Sequence, residues 1–344
     1  YQVLIDAVKK KTGKTITLQD IDSLAIRTEK HGAMYHIDSI DVVTANDLNK
    51  FVVTAALSET GKLYLENDFH WLNYLNNKFA FPYLPRVYHK GGMKYRTPQG
   101  AHDTMLISLG EWLEGYHEFH LSLDSKDQGQ KIIVWNSDNG YRYLSDRQSY
   151  NLYRMASKIL TLYYDMDTFA QIALWHHAAG DFIVRIEGEN IDLKLITVRR
   201  YEPMISLSTN EESDKFAALL HFFLHLSIRM RMDRLDGVGD VAWADNFCLN
   251  AVMEGFYEVL GTKEKMGCLA SIDKKEFLSS LKRFTKDDWK DMAHATLQTC
   301  PQPEADLPII MRNLDKHVEI LHAVIQSFQP DSPASRTSPA DPTP

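Results

Sequence analysis

The sequence predicts an α+β protein of two lobes, with a small strand-bearing N-terminal lobe and a larger, mainly helical C-terminal lobe. Three observations carry this. The chain has 344 residues, more than one small core organises. Residues rich in β-branched side chains and turn residues dominate from Tyr35 to about Gly115. After Gly115 the pattern becomes mainly helical, and several segments repeat apolar residues at the spacing of one helix face.

Residues 1–34 read as a polar helical extension punctuated by Gly13 and Gly32. "YHIDSIDVV" and "KFVVTAALS", separated by the turn-like "TANDLN", read as a β-hairpin. Leu65, Phe69, Leu72 and Leu75 then recur at helical spacing and predict a helix over 64–78. "FPYLPRVYHKG" and "TMLISLGEWLEG" read as two further strands, with a turn at Gly91–Gly92. In 149–167, Leu152, Met155, Ile159, Leu162 and Tyr163 share a helix face. "DFIVRIEG" and "IDLKLITVRR" form a second hairpin around "EGEN", and 206–214 is a polar loop. From 215 onward the chain reads as helices. Asp273 with Glu276, and Thr285 with Asp288, have capping-box spacing. The last helix, about 307–328, carries the stripe Ile310, Leu314, Val318, Leu321, Ile325 and Phe328. Residues 331–344 are Pro/Ser-rich and predict a disordered tail.

Composition narrows the function. The formal charge of −8 argues against general nucleic-acid or anionic-membrane binding, because phosphate surfaces are held by an excess of Lys and Arg. Cys248, Cys268 and Cys300 are far apart and form no CxxC pair, which points to reduced thiols in a cytoplasm. The longest apolar stretch, 216–228, contains His221 and His225 and is shorter than the roughly 20 residues a membrane span needs. The sequence starts at Tyr1 rather than methionine, which leaves residues upstream open. GxGxxG, GxxxxGK[ST] and GxSxG motifs are absent.

One ten-residue stretch, "WHHAAGDFIV" at 175–184, sets two histidines, a glycine and Asp181 directly before an apolar strand. Adjacent His176 and His177 diverge and do not readily chelate one ion. The plain reading of either is a histidine hydrogen-bonded within its loop, and of Asp181 a turn cap. His221 and His225 lie one helical turn apart, but Phe222 stands where HExxH needs Glu, and a packed core helix is the better reading. Arg229, Arg231, Asp233, Arg234 and Asp236 read as ion pairs that end a helix, with Gly237 in the left-handed position. An acidic wall for a cationic substrate is the competing reading there. Trp112, Tyr116, Trp175 and Trp243 read as packing residues rather than a cation-binding cage.

The order of elements, with "LENDFHWLNYL", "MLISLGEWLEG" and "LWHHAAGDFIV", resembles the protein-kinase-like superfamily, and within it the aminoglycoside and choline phosphotransferases. The resemblance implies that Glu66 orients a nucleotide-binding lysine and that Glu111 lies in the hinge strand of a nucleotide site. It also implies a catalytic loop with His176 at the base position, Ala178 at the family's second histidine and Asp181 at the metal ligand, and it puts Thr197 where a second, metal-binding aspartate belongs. The cofactors so implied are ATP and magnesium. Several family groups are missing. "KFVVTAALS" offers Thr54, Ala55 and Ala56 in place of the lysine, no glycine loop precedes it, and Thr197 has no carboxylate. Phosphoryl transfer in this fold relies on that lysine and on oxygen ligands for magnesium. The first expectation is therefore a pseudoenzyme with a degenerate nucleotide site, binding a small-molecule or protein ligand between the lobes. The second is an active ATP-dependent phosphotransferase with His176 as base, Asp181 on the metal (Asp192 or Glu202 assisting) and Glu66 orienting Lys62. The third is a helical interaction protein unrelated to kinases, which would be favoured if 35–110 were not a sheet.

Overall fold

The computed structural model describes residues 1–330 except 33, 98–99, 101, 127, 137–139, 174, 176, 178–179, 206–211, 268–272 and 301–302. The proposed base His176, Ala178, Cys268, most of the 206–214 loop and the 331–344 tail therefore lie outside the described residues. The protein is α+β, with a sheet-bearing N-terminal region and a mostly helical C-terminal region. It forms two compact units. The first comprises residues 1–115 with 196–200, and the second residues 116–195 with 201–344.

In the first unit, helix α1 (Gln2–Thr12) stops at Gly13, whose φ of 75° is the left-handed conformation that glycine adopts without steric cost. The five-stranded sheet has the order β1-β2-β3-β5-β4, all neighbours antiparallel. Its strands are β1 (Ile21–His31), β2 (His36–Thr44), β3 (Leu48–Ala56), β4 (Val87–Arg96) and β5 (His102–Glu111). Helix α2 (Glu59–Lys78) joins β3 to β4. Val42, Phe51, Tyr88 and Leu109 pack with Ala7 and Val8 of α1. On α2, Leu65, Leu72 and Leu75 are buried. Ser58 caps α2 by accepting from the Gly61 amide (3.1 Å). Gly61 itself is needed, since a Cβ there would lie 2.6 Å from the Met34 carbonyl.

Two expectations are corrected in this unit. Residues 21–31 form a strand, not part of a helical extension: Leu24 and Ile26 sit opposite Val42 and Ile40 on the edge strand of the sheet. Gly91 and Gly92 lie inside β4, paired with Ile107 and Leu106, so the reversal falls between Arg96 and His102. Strands β2 to β5 lie within 36–111, so the sheetless 35–110 that would have favoured the helical interaction protein is not found.

The second unit has a sheet of its own, ordered β11-β10-β6-β7-β8. Strands β6 (His117–Leu123), β7 (Gln130–Asn136) and β8 (Gly140–Tyr143) correct the expectation of helix after Gly115. Helix α3 (Asp146–Leu162) leads to β9 (Ala170–Ala173), then to the hairpin β10 (Phe182–Glu187) and β11 (Asn190–Leu195). Strand β12 (Arg200–Pro203) pairs with β9. Helix α4 (Glu212–Arg229) ends at a two-stranded ribbon, β13 (Met232–Arg234) and β14 (Val241–Trp243). Helices α5 (Phe247–Lys265), α6 (Lys274–Arg283), α7 (Lys286–Thr299) and α8 (Leu307–Ser327) follow. Asp273 and Thr285 cap α6 and α7, and the expected α8 stripe from Ile310 to Ile325 is buried. Among the described residues, no helix is long and apolar enough to cross a membrane.

Helices α3 and α5 approach closely because residue 255 has no side chain. A Cβ there would stand 2.2 Å from the Arg154 carbonyl oxygen. Ser157 donates to Val252 O (2.7 Å), and Lys263 donates to Leu162 O (2.9 Å) and Tyr164 O (2.8 Å) at the end of α3. Gly255→Ala should force the helices apart and cost about 1–3 kcal/mol, as overpacked cores do. Urea unfolding measures this, and an unchanged midpoint would contradict the close approach.

Candidate functional site

Trp175, His177 and Asp181 are built into the interior of the second unit. Trp175, His177 and Asp181 are 4%, 2% and 0% exposed. His177 sits in an aromatic shell, its ring centroid 5.4 Å from Trp175, 5.7 Å from Phe119 and Phe182, and 5.9 Å from Tyr153. Phe182 and Val184 alternate inward on β10 opposite Leu195 and Leu193, which explains why the run after Asp181 is apolar at every second position. Gly180 has φ 66°, and a Cβ there would meet the Glu118 carboxylate at 2.9 Å. Glycine is required at that turn on both counts.

A buried charge cluster adjoins this turn. Glu118 and His120 lie on β6, and Asp233 on β13. His120 Nδ1 is 3.8 Å from Asp233 Oδ1, and its Nε2 is 3.9 Å from Glu118 Oε2. Asp233 is fixed by the Leu121 and Arg234 amides, both donating at 2.7 Å. Gly237, with φ 75°, lies against the same imidazole: a Cβ would be 2.7 Å from Nε2. Burial pulls the His120 pKa down, but the two carboxylates outweigh it and raise it to about 9. The imidazole is thus a cation at neutral pH and is poorly suited to serve as a base. Sequence spacing could not reveal this cluster, because Asp233 is more than a hundred residues from His120.

The run 229–236 divides its charges. Arg229 Nη1 donates to Asp306 Oδ2 at 2.6 Å, with both side chains about 95% buried, and Nη2 reaches Trp175 O at 3.4 Å. Asp233 faces His120. Arg231 donates to Ala244 O (2.8 Å) and Asn246 Oδ1 (2.9 Å) and lies over the Trp243 ring. Arg229, Arg231 and Asp233 are thus spent inside the fold, whereas Asp236 is exposed. His225 is buried and its pKa is lowered to about 3 by desolvation. His221 Nε2 meets Thr299 Oγ1 at 2.7 Å and Cys300 Sγ at 3.7 Å.

In the first unit, Glu66 pairs with Lys90 Nζ of β4 at 2.6 Å, not with Lys62. Lys62 bonds Glu59 at 2.7 Å within its own helix, which raises its pKa. The expectation that Glu66 orients Lys62 is corrected on this geometry. Thr54 and Lys90 both face Ser108 of β5, so the position held by Thr54 in β3 has a lysine in the same cross-strand row, two strands away. Glu111 ends β5, where its Oε2 accepts from the Arg86 amide at 3.1 Å. Lys50 lies over the Trp112 ring at 3.9 Å.

Magnesium with ATP would need several hard oxygen ligands in one place. Asp181 is wholly buried, Asp192 is engaged by Arg185, Lys194 and Tyr116, and Glu202 is exposed on β12. Among the described residues, no group of three His, Cys, Asp or Glu could hold a metal ion. No protein-family model matches the chain, and no curated protein matches it in sequence.

The His120 cluster yields a pH dependence. A histidine pKa raised from about 6.5 unfolded to about 9 folded gives stability that is fully present below pH 6.5 and lost as pH rises through 9. Its size is at most about 3 kcal/mol. Urea unfolding of the protein and of His120→Gln between pH 6 and 10 checks this: the difference between them should shrink across the window. A constant difference would contradict it.

Proposed function

We propose that the chain is a kinase-like protein of the aminoglycoside/choline phosphotransferase type whose nucleotide site has degenerated, and that it acts by binding a small-molecule or protein ligand. The carrying observation is the fate of the segment that resembles a catalytic loop. Asp181, the residue this reading sets at the metal-ligand position, has no exposed surface, and the neighbouring His177 is enclosed by four aromatic rings. Transfer chemistry needs groups that reach substrate and metal. A carboxylate as buried as that of Asp181 is poorly placed for this.

The order of elements supports the family reading. Five strands interrupted by α2 are followed by the long helix α3, the turn at 175–181, the hairpin β10–β11 and then helices α4 to α8. Three added strands, β6 to β8, precede α3. The absence of a lysine from the interior positions 54–56 of β3, which carries only Lys50 near its start, and Thr197 in place of a carboxylate support loss of transfer. A cytoplasmic setting belongs to the same proposal and rests on the free thiols Cys248 and Cys300.

One observation favours the second reading, an active transferase. Lys90 and Glu66 form a lysine–glutamate pair between a strand and α2, the kind of pair the family uses to hold nucleotide phosphates. Thermal unfolding with ATP, with and without magnesium, separates the two. The degenerate reading predicts no magnesium-dependent gain at any nucleotide concentration. The active reading predicts about 2.7 kcal/mol at a hundred times the dissociation constant, lost in both Lys90→Met and Asp181→Ala. That result, together with phosphate transfer to an aminoglycoside or choline, would overturn the proposal.

A further inference from the structure

We propose that the outer edge of β4, over residues 89–96, docks an extended segment of a partner protein whose residues alternate between acidic and apolar, as an added strand of the first unit's sheet. β4 ends that sheet: β5 pairs with one of its edges, and among the described residues no strand pairs with the other. From His89 to Arg96 the ladder with β5 has no register break, so the free edge is regular over this run. Every second residue of such a strand turns its N–H and C=O away from its neighbour. The Tyr88 carbonyl, just before the run, already accepts from Lys10 Nζ at 2.8 Å. Among the described residues, no hydrogen bond from outside β5 reaches the backbone of 89–96.

Side chains set the chemistry of the edge. Lys90, Gly92, Lys94 and Arg96 share one face of β4, and His89, Gly91, Met93 and Tyr95 share the other. The first face has three cations and no carboxylate. Beside it β5 offers Ser108, Leu106, Thr104 and His102, so no acid compensates these cations within the sheet. Glu66 of α2 pairs with Lys90 at 2.6 Å. Arg96 Nε donates to the neutral Gly100 carbonyl at 3.3 Å, and exposed Lys94 has no ion-pair partner among the described residues. Gly92 keeps the middle of this face low: a Cβ there would meet only the Thr104 methyl group, at 3.2 Å. On the other face Met93 is 47% exposed, with Tyr95 beyond it.

The two faces select the occupant. Opposite charges across a strand pair attract, and like charges repel. A second copy of β4 would set cation against cation. A strand with Glu or Asp at alternate positions places its acids beside Lys94 and Arg96, and its apolar side chains beside Met93 and Tyr95. The far edge of the sheet is less suited. There β1 breaks register between Ile21 and Ser23 and between Thr28 and Lys30, and mixes Asp22 and Glu29 with Arg27 and Lys30. Docking at β4 needs neither nucleotide nor transfer chemistry.

The test is fluorescence anisotropy of the full chain with a labelled peptide of alternating Glu and Val, as long as the 89–96 run. It should bind, and more weakly as salt rises. Its dissociation constant should rise about tenfold in Lys94→Glu, where an attractive cross-strand pair becomes a repulsive one. Two further peptides need no variant: one N-methylated on every Glu, the other on every Val, which removes the donors of one peptide edge at a time. Binding should be lost with one and kept with the other, because only one edge faces β4. Amide exchange of residues 91–96 should slow in the complex. No binding, equal effects of the two methylations, or equal binding of a peptide of alternating Lys and Val would overturn the proposal. So would slower exchange in β4 on concentrating the protein alone, which would assign the edge to a second copy.

Discussion

The second unit depends on the buried ion pair between Arg229 and Asp306. Arg229 ends α4, and Asp306 precedes α8. The guanidinium holds the carboxylate with one nitrogen and the Trp175 carbonyl with the other. One cation therefore ties a helix end, a helix start and the turn that leads to Asp181. Removing one partner of such a pair leaves a bare charge in a poor solvent, which is why these pairs are fragile to single substitution even where their net contribution is small.

Around this anchor the protein answers the cost of buried charge in several ways. His120 sits between two carboxylates. Lys263 is surrounded by carbonyls at the end of α3. Arg231 has neutral hydrogen-bond partners and an unused N–H. The first two make fixed structure from charged groups. Chemistry at neutral pH would ask for mobile protons and exposed ligands, and Trp175, His177 and Asp181 are buried.

Much of this was legible in the sequence. The β2–β3 and β10–β11 hairpins, α2, α3, the caps of α6 and α7 and the stripe of α8 follow from period and turn chemistry alone. Strand β1 was misread because an edge strand carries Asp22, Arg27, Glu29 and Lys30, which imitate a solvated helix. Strand β6 was overlooked although Phe119, Leu121 and Leu123 alternate with polar residues, a signal that was there to be used. Gly91–Gly92 looked like a turn because glycine is permissive in both settings. The partners of Glu66, His120 and Arg229 were beyond reach, since each contact joins elements distant in the chain and is set by packing, not by spacing.

A double-mutant cycle on Arg229 and Asp306 measures the anchor directly. With urea unfolding as the readout, Arg229→Met and Asp306→Asn should each cost about 3–5 kcal/mol, and the double variant should cost no more than either alone. Amide exchange around Trp175 should rise in the single variants. Costs that simply add in the double variant, with exchange near Trp175 unchanged, would contradict the role assigned to this pair.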